Sequence, residues 1–158
     1  MFTFGRIPRY KSSASFEVAV SEDKRALTLT SSSLELHVGG GKSRSPIAAR
    51  LFTLVLPLKG DEKRVEIEFS LDSLVMTLEG ATASLVCSVN GQTTVSDFPQ
   101  NTDQSFIQTL KFAAETPSEA RLCVFLLLGR DSNNPDAEAH LRVSSLEAEI
   151  LPRPPGPS

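Results

Sequence analysis

The segment RVEIEFSLD, residues 64–72, constrains the fold more than any other part of the chain. Its odd-numbered residues from Val65 to Leu71 are apolar, and the intervening positions carry Glu66, Glu68, Ser70 and Asp72. Alternation with a period of two places every apolar side chain on one face of an extended strand. The segment therefore predicts a half-buried strand, and such a strand needs other strands beside it and a second layer over its apolar face.

Further runs fit the same architecture. Apolar or alternating stretches recur along the chain with turn-forming residues between them, at 16–20, 34–38, 47–56, 74–79, 106–114 and 121–129. Many short strands at this spacing are typical of a β-sandwich or barrel. We predict an all-β fold, an antiparallel β-sandwich of about eight to ten strands in jelly-roll style. An immunoglobulin-like topology is the alternative, although the chain lacks the Trp of that core.

The dipeptide Asn90-Gly91 predicts a hairpin, because both residues tolerate the positive φ angles of a type I′ turn. A two-residue loop would pair Val89 with Gln92 and Val86 with Val95. That register leaves neither face wholly apolar. We therefore expect a bulge or an edge position near Thr93, or a longer loop.

The C-terminal stretch 133–151 carries two conflicting patterns. Asn134-Pro135-Asp136 is typical of a helix start, and apolar residues follow at helical spacing. Read as a strand, however, Leu141 and Val143 share one face, and after Ser144-Ser145 the apolar set shifts by one position. A single extra residue, a β-bulge, produces that shift. Agreement with the neighbouring runs favours the strand.

Apolar residues occupy both faces of the run RLCVFLLLG, 121–129, which predicts a central strand covered on both sides. Cys87 and Cys123 lie in apolar runs and are interpreted as buried thiols that could face each other across a sheet. With only His37 and His140 besides, a zinc site of four Cys and His ligands is not expected. Both histidines are predicted on exposed strand faces. No cofactor is expected.

Size and charge set the remaining limits. The 158 residues suffice for one domain, predicted over 1–151, with a possible N-terminal arm at 1–11 and a flexible Pro-rich tail at 152–158. The formal charge of -3 indicates neither nucleic-acid nor membrane binding. No apolar run is long enough to span a bilayer, and the start MFTFGRIPRYKSS lacks the apolar segment of a signal peptide, which predicts a cytoplasmic protein.

Two loops contain candidate ligand-binding residues. HVGGGKSRS, 37–45, superficially resembles a nucleotide phosphate loop but lacks its first glycine and its following helix, so it is read as a glycine-rich β-loop with cations suited to an anion. GRDSNNPD, 129–136, has several oxygen ligands, but Pro135 departs from the EF-hand calcium pattern. The candidate binding residues are Lys42, Arg44, Arg130, Asp131, Asn133 and Asp136.

Two functional hypotheses follow. At the level of fold, the ending from Leu122 to Leu151 resembles the closing hairpin of jelly-roll domains, including carbohydrate-binding modules. The first hypothesis is a non-catalytic interaction or assembly module that binds itself or another protein. The alternative is a small-ligand module of glycan type that uses the loops 39–46, 97–105 and 129–136. An enzyme ranks third, because no Gly-x-Ser-x-Gly elbow or other catalytic motif is present.

Overall fold

The computed structural model describes residues 2–5, 9–11, 16–31, 34–40, 45–61, 63–115 and 119–152, with backbone alone at 9–11. Lys42, Arg44 and most of the Pro-rich tail lie outside these residues. All regular structure in the described part is extended. Its twelve strands are β1 Thr3–Phe4, β2 Arg9–Lys11, β3 Glu17–Val20, β4 Ala26–Thr30, β5 Glu35–Val38, β6 Ile47–Lys59, β7 Arg64–Thr77, β8 Ala81–Val89, β9 Gln92–Phe98, β10 Asp103–Glu115, β11 Glu119–Arg130 and β12 Ala139–Ile150.

The strands form two antiparallel sheets. The first sheet has the order β1-β6-β11-β8-β9, and β2 extends the line of β1 along β6. The second sheet has the order β10-β7-β12-β4-β3, and β5 extends the line of β4 along β12. Because two pairs of short strands share a line, the described strands occupy ten positions. The predicted antiparallel sandwich is confirmed.

Consecutive strands change sheets through much of the chain. Strands β5 and β7 belong to the second sheet, whereas β6 and β8 belong to the first. In the same way β9 and β11 belong to the first sheet, whereas β10 and β12 belong to the second. This back-and-forth winding is the jelly-roll style that the spacing predicted. It encloses one apolar core, to which β7 contributes Val65, Ile67, Phe69 and Leu71, all buried.

The hairpin between β8 and β9 has a two-residue loop, Asn90-Gly91. Asn90 and Gly91 have φ angles of 45° and 91°, the left-handed values that the turn requires. Pairing runs from Val89 opposite Gln92 to Ala83 opposite Phe98 in one register. The predicted edge position is correct, but the bulge and the longer loop are not, because an edge strand tolerates polar residues on both faces.

Ser144 forms the bulge predicted for the C-terminal stretch. The register between β12 and β7 shifts between Val143 and Ser145. Leu141 and Val143 before the shift are buried, and so are the apolar residues after it. The bulge lies where the partner of β12 changes from β5 to β4, and its carbonyl oxygen accepts a hydrogen bond from the Ser31 amide. The helical alternative is wrong.

Strand β11 departs from the prediction. It is central, between β6 and β8, and its even-numbered residues from Ala120 to Leu128 are buried. Its odd-numbered residues point away from the core, and Leu127 is 36% exposed. The expectation that both faces are covered is therefore wrong for a single chain, because a two-layer sandwich has nothing to place over the outer face of a sheet.

The two cysteines lie on opposite faces of the first sheet. Cys87 points into the core, and burial raises the pKa of its thiol to about 12, so the thiol stays protonated at neutral pH. Cys123 points outward and is only partly buried. Its strand neighbour across β8 is Ser88 and not Cys87. The expectation that both thiols are buried holds for Cys87 alone, and they do not face each other.

The described N-terminal strands pair with their own sheet. Thr3 and Phe4 lie opposite Lys59 and Leu58, and β2 lies opposite residues 53–55 of β6. At the other end, the Leu151 amide donates to the Glu66 carbonyl, and Pro152 is exposed. A search of the described residues for a helix of the length and apolarity needed to span a membrane found none.

Adjacent leucines on β11 provide a test of the layer assignment. Leu126→Ala should lower the free energy of unfolding by about 2–5 kcal/mol, because the removed side chain is fully buried in the core. Leu127→Ala should cost less than about 1 kcal/mol, because its side chain is partly exposed. Urea denaturation of both variants at low protein concentration measures the difference. Equal losses would contradict the assignment of the inner and outer faces.

Candidate functional site

A depression of about 420 Å³ lies on the outer face of the second sheet and is lined by Glu35, His37, Met76 and His140. We call it the histidine groove. Its lining comes from three neighbouring strands, β5, β12 and β7, near the end of the sandwich where β5 ends and β12 begins. The groove is thus built on sheet positions and not on a loop, which fixes its geometry.

Strand register brings the two histidines together. His140 of β12 is directly opposite His37 of β5 on one side and Met76 of β7 on the other. Their side chains point outward because Ala139 and Leu141 on either side of His140 are buried. The two imidazole centroids are 5.4 Å apart, with the ring planes inclined by 38°.

Each imidazole is held by a carboxylate. The Nε2 atom of His37 lies 2.7 Å from Oε1 of Glu138, and the Nε2 atom of His140 lies 3.0 Å from Oε2 of Glu35. An ionised carboxylate only accepts hydrogen bonds, so the proton of each neutral ring belongs on Nε2. Nδ1 is then an acceptor, and it has no protein partner among the described residues. The imidazole side chains remain 22% and 30% exposed.

The glycines after β5 allow Glu138 to reach His37. Gly39 and Gly40 have φ angles of 77° and 62°, a conformation that other residues rarely adopt. A Cβ atom on Gly39 would overlap the carbonyl oxygen of Ala137, and one on Gly40 would lie 2.5 Å from Oε1 of Glu138. Gly39 and Gly40, the described glycines of the stretch that resembles a phosphate loop, therefore allow this turn to pack closely against the residues that precede β12.

The surroundings of the groove combine apolar and charged groups. In the next row of the sheet, Leu74 lies opposite Arg142, and Arg142 lies opposite Glu35. Leu74 is exposed, and the Nε atom of Arg142 is buried without a hydrogen-bond partner. The Arg50 guanidinium also lies nearby, because its Nη1 atom donates to the Glu35 carbonyl at 3.4 Å. The surroundings of the groove therefore combine carboxylates, guanidinium groups and apolar surface.

The described residues contain no group of three or more His, Cys, Asp or Glu side chains arranged to hold a metal ion. In the histidine groove the Nε2 atom of each imidazole already faces a carboxylate. The groove therefore presents a set of oriented hydrogen-bonding groups beside the thioether of Met76. Such a set can form hydrogen bonds with a small polar molecule.

In the loop 129–136, which was predicted to bind a ligand, two polar side chains form hydrogen bonds with the loop's own backbone. Oδ1 of Asp131 accepts from the Asn133 amide, and Oδ1 of Asn134 accepts from the Asp136 amide. The Arg130 side chain donates to the Ser45 carbonyl. The hydrogen bonds of Asp131 and Asn134 are those of tight Asx turns, so these two side chains stabilise the loop itself. Asn133 and Asp136 remain exposed.

The structure brings this loop together with two others at one end of the sandwich. The Gly80 carbonyl accepts from the Asp131 amide, and the Gly80 amide donates to Oε1 of Gln100. The Leu78 amide donates to the Glu138 carbonyl, which connects the same loop end to the histidine groove. A ligand site formed by Lys42, Arg44, Arg130, Asp131, Asn133 and Asp136 stays a prediction, and the first two residues are outside the described part.

A larger depression, of about 460 Å³, lies beside the turn between β3 and β4 and is lined by Ser21, Glu22 and Asp23. Its polar groups are already engaged, because Oδ1 of Asp23 accepts from the Ser21 hydroxyl and from the Arg25 amide. The Ser21 hydrogen bond, followed by the Arg25 amide, lowers the pKa of the Asp23 carboxyl. We interpret this depression as the surface of a closed turn.

No protein-family model matches the chain. No curated protein matches it in sequence. Solved structures with some likeness include a family 61 carbohydrate-binding module in complex with β-1,4-galactotriose, with a TM-score of 0.34, 9% identity and coverage of 90% of this chain and 88% of that one. A family 29 carbohydrate-binding module from Piromyces equi has a TM-score of 0.25 and 11% identity, over 92% of this chain and 86% of that one.

A ruminal GH26 endo-β-1,4-mannanase has a TM-score of 0.33 and 13% identity, over 75% of this chain. The present chain spans only 21% of the mannanase. All three TM-scores are below 0.5, and these likenesses carry no argument about what the chain binds.

The turn beside the groove yields a prediction with an internal control. Gly91→Ala should cost about 1–2 kcal/mol, because its positive φ is unfavourable for alanine but no atom lies within 4 Å of the new Cβ. Gly39→Ala should cost at least about 3 kcal/mol, because overlap with the Ala137 carbonyl adds to the same φ penalty. Chemical denaturation measures both losses. A Gly39 variant no less stable than the Gly91 variant would contradict the close packing of this turn.

Proposed function

We propose that the domain is a binding module for a neutral, hydroxyl-rich ligand of glycan type, with the histidine groove as its site. The observation that carries the proposal is the pair of adjacent, partly exposed imidazoles, each oriented by a carboxylate through Nε2. Polar groups that are already held in place lose little side-chain freedom when a ligand binds, and weak polar contacts then contribute more to affinity.

The hydrogen-bonding pattern of the groove is complementary to hydroxyl groups. A hydroxyl can donate to the Nδ1 atom of an imidazole whose proton is on Nε2. Glu35 is about half exposed and borders the groove. Met76 and the exposed Leu74 supply apolar surface for the C–H faces of a sugar ring. Among the described residues that line the groove there is no Phe, Tyr or Trp, so we propose recognition mainly through hydrogen bonds and not through stacking.

The two histidines give a direct assay, since the chain contains no others. Their two imidazole Cε1–H signals can be followed by NMR while neutral oligosaccharides are added, including the β-1,4-galactotriose bound by the family 61 module. We expect at least one neutral oligosaccharide to shift both signals in a saturable way. A broad panel that shifts neither signal would rule the proposal out.

Substitution should then weaken binding at the groove selectively. His37→Ala and His140→Ala should each reduce affinity about tenfold or more by calorimetry, because each removes a hydrogen-bonding group and releases the carboxylate that it held. Glu147→Ala is the matched control, since Glu147 is exposed on the outer side of the same strand beyond the bulge. It should bind like the unaltered protein.

Loop variants separate the groove from the loop end. If Asp131→Ala or Asp136→Ala abolishes binding while both histidine variants bind normally, the ligand occupies the loop end and the groove assignment is wrong. Thermal unfolding of every variant shows whether a lost affinity reflects lost folding.

A further inference from the structure

We propose that the outer face of the first sheet associates with the same face of a second copy of this chain, independently of the histidine groove. The apolar face is defined here as the row Leu51, Phe125, Val86 and Val95 together with the flanking residues Ile47 and Leu127. The first four are directly opposite one another on β6, β11, β8 and β9, so that the row crosses four strands without interruption.

The row of Leu51, Phe125, Val86 and Val95 is as apolar as the inward row next to it. The inward row next to it consists of Phe52, Val124, Cys87 and Thr94, in the same register. That inward row packs against the second sheet, whereas no layer of described residues covers the outer row. Leu51 is 57% exposed, Val95 55% and Ile47 62%. Half of the large exposed hydrophobic residues in the described part lie on this one face.

Charge points to a copy of the chain as the occupant. The row itself carries no charged side chain. Beside it, Asp97 lies in line with Ser84 and Leu127 and accepts from the Ser84 hydroxyl at 2.7 Å, and further along β11 Arg121 pairs with Glu119 at 3.2 Å. A charged partner would therefore find no complementary group in the row. Two identical apolar faces meet across a two-fold axis without any unpaired charge, as an isologous interface requires.

The dimensions of the apolar face determine how strongly two copies are expected to associate. Four strands about 4.8 Å apart and about eight residues of strand length give roughly 400–500 Å² per copy. Two copies would bury about 800–1,000 Å², at the lower limit of specific protein interfaces. Aligned packing of two sheets about 10 Å apart would repeat the geometry of the domain interior. We therefore expect a reversible dimer that forms as concentration rises.

Sedimentation equilibrium of the intact protein from about 1 μM to about 1 mM covers the affinity range of such an interface. We expect the average mass to rise from the monomer value of 17.1 kDa toward twice that value. The double variant Leu51→Lys with Val95→Lys should stay monomeric throughout. Ile107→Lys is the control, because Ile107 is 66% exposed on the other sheet, and it should dimerise like the unaltered protein.

Cys123 provides a second readout that does not depend on a variant. It projects from the same outer face as Phe125, two residues away on β11, whereas Cys87 is buried with its thiol protonated at neutral pH. Iodoacetamide should therefore modify Cys123 selectively. Its alkylation rate should fall severalfold as protein concentration rises, and the double variant should show no such fall.

Each contrary outcome overturns the proposal. A monomer at all concentrations, with a constant Cys123 alkylation rate, leaves the face uncovered. A dimer that is lost with Ile107→Lys but kept with the double variant uses another surface. Protection of Cys123 by an added polysaccharide in a monomeric protein would assign the face to a ligand. Because the histidine groove is on the opposite sheet, glycan binding by the groove can fail or succeed without affecting any of these results.

Discussion

The bulge at Ser144 is the constraint on which the second sheet depends. Strand β12 pairs with β7 along its whole length, and its two halves bury residues of opposite parity. Without the extra residue, one half would turn its apolar side chains toward solvent and its polar ones toward the core. Because of the bulge, even-numbered residues such as His140 and Arg142 point outward in the first half of β12, whereas even-numbered residues point inward in the second half. The histidine groove is therefore a consequence of the same local irregularity that keeps the core continuous.

Local sequence patterns predicted the strands and the hairpin because these elements depend on interactions between residues that are close together in the chain. The alternation around Ile67 defines β7, and Asn90-Gly91 defines the hairpin, since each depends on residues that are neighbours in the chain. The double serine marked the bulge for the same reason. The adjacency of His37 and His140 could not be predicted in this way. They are about a hundred residues apart, and only the pairing of β5 with β12 makes them neighbours.

The errors in prediction also have a physical basis. Apolar residues on both faces of β11 were read as burial on both faces, but sequence composition records a preference for removal from water and not the identity of the covering layer. Cys123 was misplaced by the same inference. In the loop 129–136, acidic and amide side chains suggested a ligand site. Short side chains of this kind equally satisfy backbone donors in tight turns, and Asp131 and Asn134 do so here.

The two outer faces of the sandwich differ in chemistry, which is why we propose different partners for them. On the second sheet, imidazoles and carboxylates are already paired, and a ligand must offer hydrogen bonds to displace water from them. On the first sheet, the row through Phe125 offers almost no hydrogen-bonding side chains, so that only apolar surface of matching shape gains free energy there. Under the two proposals, the face of the second sheet would select its partner by hydrogen-bond geometry and the face of the first sheet by buried apolar area. Because the faces lie on opposite sheets, occupation of one would leave the other available.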